Sequence, residues 1–144
     1  MLVRDIMKET VHTISPNLTV KKAAEAMSKR KIGSLIVVSD VRLEGIVTER
    51  DITSKVVSTG KDARKTKVRD IMTREIIFVE PDYDIDDAAK IMVENQIKKL
   101  PVVYRNRLIG IVTAMDIVNA EPKITEQIGS LVAFVEKKKK TVAG

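Results

Sequence analysis

The stretch Gly45–Asp51 reads GIVTERD, and the stretch Gly110–Asp116 reads GIVTAMD. Both copies keep Gly-Ile-Val-Thr and the later Asp, and only the two residues between Thr and Asp differ. A shift of 65 residues extends the match without a gap, so that 20 of the 49 positions from Val3 to Asp51 are identical to the second copy. Self-similarity at a fixed spacing is the signature of a duplicated structural unit. The chain is therefore predicted to contain one small unit twice.

Length and composition limit the classes of protein that this chain can belong to. Its 144 residues suffice for one ordinary domain or two small units that share a core. A hydrophobic content of 44% with 32% charged residues is typical of a soluble globular protein, and no apolar run approaches the roughly 18 residues of a membrane-spanning helix. The absence of Cys and the single His exclude thiolate chemistry and leave little for imidazole chemistry. We expect a cytoplasmic protein without a transmembrane segment.

The net charge of +6 raises the question of a nucleic-acid partner. Four lysines at 137–140 supply much of it, and without residues 136–144 the net charge falls to +3. A short run of lysines at a chain end is more often a solvated tail than a binding site. Nucleic-acid binding through this tail and the basic linker remains an alternative function, which the low aromatic content of 3% does not favour.

Each repeat is predicted to fold as β-α-β-β-α, an α/β (α+β) class of fold. The first helix of each repeat has a capping residue, Thr19 or Asp84, followed by an apolar stripe at helical spacing. The stripes are Val20, Ala23, Ala24 and Met27 in the first repeat and Ile85, Ala88, Ala89 and Met92 in the second. Two β-branched strands then form a hairpin, Leu35–Val38 with Leu43–Val47 and Leu100–Val103 with Leu108–Val112. A second helix is predicted from Glu49 to about Ser58 and a shorter one from Ala114.

The repeats give the predicted domain boundaries. Residues 1–60 form the first repeat, 61–67 the charged linker and 68–122 the second repeat. Residues 123–144 are predicted to form a C-terminal helix with an apolar stripe, followed by the basic tail. Because about 60 residues bury too little surface alone, the two repeats are expected to pack on each other as a pseudo-twofold module.

The chain resembles a tandem pair of cystathionine-β-synthase (CBS) domains, the arrangement called a Bateman module. The matching features are the Asp-Ile-Met start of each repeat, the Pro before each first helix, Leu-Pro-Val-Val at 100–103, and the Gly-Ile-Val-Thr-x-x-Asp endings. The resemblance covers residues 1 to about 120. It implies a regulatory module that binds an adenosyl ligand (AMP, ADP, ATP or S-adenosylmethionine) in clefts between the repeats, signals to a separate protein whose identity is unknown, and forms a homodimer.

The Thr-x-x-Asp motif has two compatible interpretations. Thr followed three residues later by an acid is a capping box, in which each side chain bonds the backbone N–H of the other residue. A carboxylate at a helix start can also accept hydrogen bonds from the two hydroxyls of a ribose. The resemblance implies that the Asp holds the ribose and that the Thr and the residue before the Asp lie near the phosphates.

The resemblance assigns ligand-binding residues to two clefts that differ in charge. The first cleft is predicted from Thr48, Arg50, Asp51, Met72, Lys98 and Lys99. The second is predicted from Thr113, Met115, Asp116, Met7, Gly33 and Ser34. We expect the first cleft to prefer an anionic nucleotide and the second to bind a less charged adenosyl ligand or none, because cations attract phosphate.

Neither catalysis nor a metal site is predicted. No set of nucleophile, base and orienting residue can be assembled from this chain, so we expect neither an enzyme nor a catalytic cofactor. The acidic stretch 82–87 lacks the glycine and the distal glutamate of a calcium loop, and carboxylates there suit the start of a helix.

Overall fold

Short helices and strands are mixed along the chain in the α+β arrangement that the repeats predict. The computed structural model describes residues 1–124 and residue 129. In chain order the elements are α1 (Val3–Ile6), β1 (Thr13–Ile14), α2 (Val20–Arg30), β2 (Ser34–Ser39), β3 (Arg42–Thr48), α3 (Glu49–Ile52), a π-helical turn (Thr53–Val57), α4 (Val68–Ile71), α5 (Ile85–Asn95), β4 (Lys99–Tyr104), β5 (Arg107–Thr113), α6 (Ala114–Ala120) and a 3-10 turn (Pro122–Ile124). The predicted fold class is confirmed.

The described residues fall into two units, and neither unit is one continuous stretch. The Asp51 unit comprises Val11–Ile76 and Asn106–Leu108. The Asp116 unit comprises Met1–Thr10, Ile77–Arg105 and the described residues from Ile109 onward. Each unit therefore joins most of one repeat to the Val-Arg-Asp-Ile-Met segment of the other.

The two long helices begin as their capping residues predict. Thr19 Oγ1 accepts a hydrogen bond from the Lys22 amide at 3.2 Å, and Asp84 Oδ1 accepts one from the Asp86 amide at 3.0 Å. The stripe of α5 is completely buried, and the stripe of α2 is buried except for the half-buried Ala24. Both helices end at a residue in the left-handed conformation. The local signals of these helices therefore predict their starts and their buried faces.

The first strand differs between the repeats. β1 pairs in parallel with β2, and the Ile36 amide donates to the His12 carbonyl at 3.2 Å. In the second repeat the equivalent pairing is a single bridge between Val79 and Val102. Pro101 stands where the first repeat has Ile36, and because proline has no N–H this hydrogen bond cannot form. The predicted β-α-β-β-α order thus holds fully in the first repeat, while the second keeps only a bridge in place of its first strand.

The predicted hairpins are confirmed. β2 and β3 are antiparallel and extend one residue beyond the prediction at each end, from the Ser34–Thr48 pair to the Ser39–Arg42 pair. β4 and β5 form the corresponding two-stranded sheet. Its turn residues Arg105 and Asn106 both have positive φ, as the tight turns of twisted hairpins require.

The Val-Arg-Asp-Ile-Met segments form α1 and α4, and each is held by the loop before the long helix of the other repeat. The Val3 amide donates to the Tyr83 carbonyl at 2.8 Å, and the Val68 amide donates to the Leu18 carbonyl at 2.9 Å. Asp5 and Asp70 cap these helices by accepting from the amides three residues earlier. The valines are completely buried. The segment is thus an anchor in both units.

Immediately after each anchor the chain pairs with the strand that carries Gly-Ile-Val-Thr. Thr73 exchanges two backbone hydrogen bonds with Ile46, at 2.9 and 3.0 Å, and Lys8 exchanges two with Ile111, both at 2.9 Å. These bridges add an antiparallel neighbour to β3 and to β5. They join residues of different repeats within one unit, so the sequence repeat and the folded unit do not coincide.

Each unit has its own apolar core, to which the anchor contributes. The core of the Asp51 unit includes Val68, Ile71 and Met72 from the second repeat, packed with residues of α2, β2 and β3. The core of the Asp116 unit includes Val3 from the first repeat, packed with residues of α5, β4, β5 and α6. Removal of an anchor would therefore expose a core as well as a strand edge.

The predicted repeat boundaries at 60, 68 and 122 stay a prediction about the sequence, since the structure groups the chain by units.

The predicted linker is hydrogen-bonded to the rest of the Asp51 unit. The amides of Val20 and Lys21 donate to the carbonyls of Thr66 and Ala63 at 2.9 and 3.0 Å. The predicted C-terminal helix and basic tail lie outside the described residues, except for residues 123, 124 and 129.

The glycine of each Gly-Ile-Val-Thr stretch gives a test of the anchor contacts. A Cβ atom on Gly45 would lie 2.7 Å from the Thr73 carbonyl oxygen and 2.9 Å from Met72 Sδ, and one on Gly110 would lie 2.8 Å from the Lys8 carbonyl oxygen. We expect Gly45→Ala and Gly110→Ala each to lower the free energy of unfolding by about 1–3 kcal/mol, because backbone atoms would have to move. Urea denaturation measures this change.

Gly33→Ala is the matched control for these two variants. A Cβ there would meet only the Glu49 side chain, at 3.4 Å or more. We expect unchanged or slightly higher stability, as a glycine-to-alanine change produces where the backbone tolerates it. Equal destabilisation by all three variants would contradict the role assigned to Gly45 and Gly110.

Candidate functional site

The Thr48 and Asp51 side chains form a complete capping box at the start of α3. The Asp51 amide donates to Thr48 Oγ1 at 3.1 Å, and the Thr48 amide donates to Asp51 Oδ2 at 2.9 Å. The Thr48 hydroxyl also donates to Asp51 Oδ2, at 3.0 Å. Asp51 is the one buried charged residue in the described part of the chain. The capping interpretation of this motif is confirmed, and both bonds that the Asp51 carboxylate accepts within the box fall on Oδ2.

The second oxygen of Asp51 is bound by a lysine. Lys55 Nζ lies 3.0 Å from Asp51 Oδ1 and donates to the Ile71 carbonyl at 2.8 Å. The Lys55 side chain is 45% exposed, whereas that of Asp51 is 12% exposed. Lys55 belongs to the π-helical turn that follows α3, and Ile71 ends the anchor helix α4. The ammonium group therefore ties the motif carboxylate to the anchor of the same unit.

Thr113 and Asp116 repeat the capping box at the start of α6. The Asp116 amide donates to Thr113 Oγ1 at 3.1 Å, and the Thr113 amide donates to Asp116 Oδ2 at 3.0 Å. Here the cation near the other oxygen is Lys8, whose Nζ lies 3.5 Å from Asp116 Oδ1. The Lys8 side chain is 68% exposed. Each motif carboxylate thus has one lysine beside its Oδ1. The two lysines come from different positions of the repeat, and the Nζ–Oδ1 distance is 3.0 Å at Asp51 and 3.5 Å at Asp116.

The structure places four further candidate residues in the Asp51 unit. The Glu49 amide donates to the Gly33 carbonyl at 2.9 Å, and Ser34 pairs with Thr48 across the hairpin. Arg50 is exposed at the start of α3, while Met72 is buried and lies under Gly45.

The remaining candidates lie in the Asp116 unit. The Ala114 amide donates to the Lys98 carbonyl at 2.8 Å, and the exposed Lys99 begins β4. Met115 is 52% exposed, and Met7 is half-buried under Gly110.

Within the units, the residues beside each motif are those of its own repeat together with the anchor of the other. Gly33 and Ser34 lie beside Thr48, and Lys98 lies beside Ala114. The predicted clefts also combine Lys98 and Lys99 with the Asp51 motif. They combine Gly33 and Ser34 with the Asp116 motif. Those combinations join residues of different units and stay predictions.

Sequence reasoning missed Lys55 and Lys8 as neighbours of the motif carboxylates. Lys55 follows Asp51 by four residues, a spacing that brings side chains together on a helix. Lys8 is the first residue after the anchor, and its nearness to Asp116 depends on the bridge to Ile111. The contact of Lys55 with Asp51 could have been predicted from its spacing in the sequence. The contact of Lys8 with Asp116 depends on tertiary structure.

In the described part of the chain, no three His, Cys, Asp or Glu side chains are grouped so that they could hold a metal ion. In the acidic stretch 82–87, Asp82 pairs with Arg4 and Asp84 caps α5. No helix among the described residues is both long and apolar enough to cross a membrane.

The capping box itself can be tested on Thr113. Thr113→Val removes the hydroxyl that accepts from the Asp116 amide, and we expect this to cost about 1 kcal/mol of stability in the absence of any ligand. Thr113→Ser keeps the acceptor and should stay close to the wild-type value. Urea denaturation of the two variants compares them, and equal losses would show that the hydroxyl contributes nothing as a cap.

Comparison with known proteins places this arrangement in a family. Residues 3–58 and 68–123 each match the model of the CBS domain. The chain is 36% identical over 115 residues to the CBS domain-containing protein YhcV of Bacillus subtilis, which covers 80% of this chain and 81% of YhcV.

Solved structures give the same result. The conserved CBS domain protein TA0289 of Thermoplasma acidophilum is similar with a TM-score of 0.76 at 28% identity, over 92% of this chain and 75% of that one. The hexameric CBS-CP12 protein from bloom-forming cyanobacteria is similar with a TM-score of 0.67 at 30% identity, over 88% and 73% of the two chains. The chain described here therefore belongs to the CBS-domain family and carries two CBS domains in tandem.

Proposed function

We propose that the protein is a regulatory module that binds adenosine-containing ligands at its Asp51 and Asp116 motifs and signals their presence to a partner protein. The observation that carries the proposal is that the two oxygens of each motif carboxylate have different partners. The capping bonds fall on Oδ2, while Oδ1 faces only a lysine side chain among the described residues. Because a side chain can move away more easily than a backbone, Oδ1 remains accessible to the hydroxyls of a ribose.

The ligand-binding roles follow the two motifs. Asp51 and Asp116 accept hydrogen bonds from the ribose diol, and Thr48 and Thr113 keep the carboxylates oriented toward it. The exposed Arg50 interacts with phosphate in the first cleft, where Met115 offers no charge in the second. Met72 and Met7 form apolar walls.

The difference in charge between the clefts remains part of this proposal. We assign Lys98 and Lys99 to the first cleft, and Gly33 and Ser34 to the second. An anionic nucleotide such as ATP is therefore proposed for the Asp51 cleft. A less charged compound such as S-adenosylmethionine, or no ligand, is proposed for the Asp116 cleft.

The proposed output is regulation rather than catalysis. Ligand binding shifts the population of conformations that a separate protein recognises, which requires that the ligand prefer one of them. We propose a homodimer as the working assembly and the cytoplasm as its location. The hexamer named for the CBS-CP12 relative shows that a member of this family can assemble. Light scattering over a range of concentrations measures the subunit number.

Calorimetric titration tests the ligand proposal directly. AMP, ADP, ATP and S-adenosylmethionine are titrated into the wild type and into Asp51→Asn and Asp116→Asn. Asparagine keeps an acceptor for the capping amide but removes the negative charge. Loss of charge-assisted bonds to a ribose should cost roughly 1.5–3 kcal/mol of binding, so we expect the affinity of the occupied site to fall about ten- to a hundredfold.

Asp70→Asn is the matched control. Asp70 also caps a four-residue helix of the Asp51 unit, but it lies in the anchor and no ligand role is proposed for it. We expect the Asp70→Asn variant to bind the adenosine compounds with the affinity of the wild type. If no adenosine compound binds the wild type, or if Asp70→Asn weakens binding as much as the motif variants do, the proposed function is wrong.

A further inference from the structure

The carboxylates of the two motifs differ in how many of their acceptor positions are already in use. A carboxylate has about four such positions. Asp51 uses three, for the Thr48 amide, the Thr48 hydroxyl and the Lys55 ammonium. Among residues 1–124, Asp116 has two partners, the Thr113 amide and a lysine ammonium at the longer distance of 3.5 Å. A ribose diol, which donates two hydrogen bonds, therefore fits on Asp116 without displacing a partner but does not fit on Asp51.

The group that must yield at Asp51 is Lys55. The two bonds from Thr48 belong to the capping box, and their loss would uncap α3. The Lys55 side chain is partly exposed and has four rotatable carbons, so it can leave Oδ1 with little disturbance. A neutral ligand would gain both of its ribose bonds only by breaking this ion pair.

An anionic ligand can compensate for the loss of the Lys55–Asp51 ion pair. An ammonium group has three N–H donors. Among the described residues, the Lys55 ammonium has two partners for its three donors, the Asp51 carboxylate and the Ile71 carbonyl. A phosphate oxygen can occupy the third donor, and it can also replace Asp51 as the counter-ion when the ribose takes Oδ1. The cost of displacing Lys55 is thus recovered only when the ligand carries negative charge.

We propose that Lys55 is a specificity-determining residue of the Asp51 site, where it disfavours neutral adenosine compounds and favours phosphorylated ones. The inference rests on the proposed function, since it requires an adenosine ligand at Asp51. The second repeat has Ala120 at the equivalent position, and the lysine near Asp116 Oδ1 is Lys8, at the longer distance of 3.5 Å. The two copies of the motif would then differ in ligand selection although their capping boxes are alike.

The test compares adenosine with ATP at the Asp51 site alone. Both ligands are titrated by calorimetry into a chain carrying Asp116→Asn, with Lys55 intact and with Lys55→Met. With Lys55→Met we expect the affinity for adenosine to rise about tenfold, because no ion pair opposes the ribose, and the affinity for ATP to fall about tenfold. Opposite changes for the two ligands are the signature of selection, since a merely structural role would weaken both.

Two further variants complete the design. Lys55→Arg keeps the cation and should keep the preference for ATP. Lys21→Met removes the same charge from an exposed pair with Glu25 in the same unit and should change neither affinity. Thermal denaturation without ligand verifies that each variant is folded, and Lys55→Arg tests the preference if Lys55→Met does not fold.

The outcomes separate this inference from the function on which it rests. If ATP binds the intact chain but Lys55→Met changes both affinities in the same direction, or no more than Lys21→Met does, the role of Lys55 is wrong and the proposed function stands. The same holds if Asp116→Asn abolishes all binding. If the wild type binds neither ligand, both proposals are wrong.

Discussion

Both units depend on a pair of backbone hydrogen bonds that joins one repeat to the other. Lys8 pairs with Ile111, and Thr73 pairs with Ile46, each directly after a Val-Arg-Asp-Ile-Met anchor. The bridge requires a glycine on the receiving strand, because the anchor backbone passes where a Cβ would lie. It also brings the anchor methionine and the anchor helix beside the Thr-x-x-Asp motif. The conserved features of the duplication, from the first Val to the last Asp, therefore serve one arrangement that is made twice.

The parts of the fold that depend on neighbouring residues could be predicted from the sequence. The capping residues Thr19 and Asp84, the buried stripe of α5 and the hairpin strands all follow from local chemistry. The exchange of anchors could not be predicted, because the two copies are so similar that either repeat could supply the segment. The loss of the first strand in the second repeat follows from Pro101, but local patterns do not predict it, because the proline acts on a segment more than twenty residues earlier.

The candidate site shows the same division. The capping boxes follow from a four-residue pattern, and the structure confirms both. The lysine beside Asp51 has a local signal in its i, i+4 spacing, whereas the lysine beside Asp116 depends on tertiary structure, because Lys8 is placed there by its bridge to β5. Duplicated motifs can thus keep identical hydrogen-bonded caps while the charges around them diverge. Differences between the sites are to be sought at positions where the aligned repeats carry different residues, such as Lys55 against Ala120 and Lys8 against Thr73.

The exchange of anchors also has a consequence for the order of folding. The Asp51 unit can close its bridge once Thr73 has been synthesised, whereas Lys8 must wait for Ile111, about a hundred residues later. Contacts between residues so distant in sequence form slowly, and a chain emerging from the ribosome folds its earlier parts first. During synthesis the first anchor, with its buried Val3, stays without its partner strand after the bridge of the Asp51 unit can already form. The duplicated halves are therefore equivalent in structure but not in the time at which they can fold.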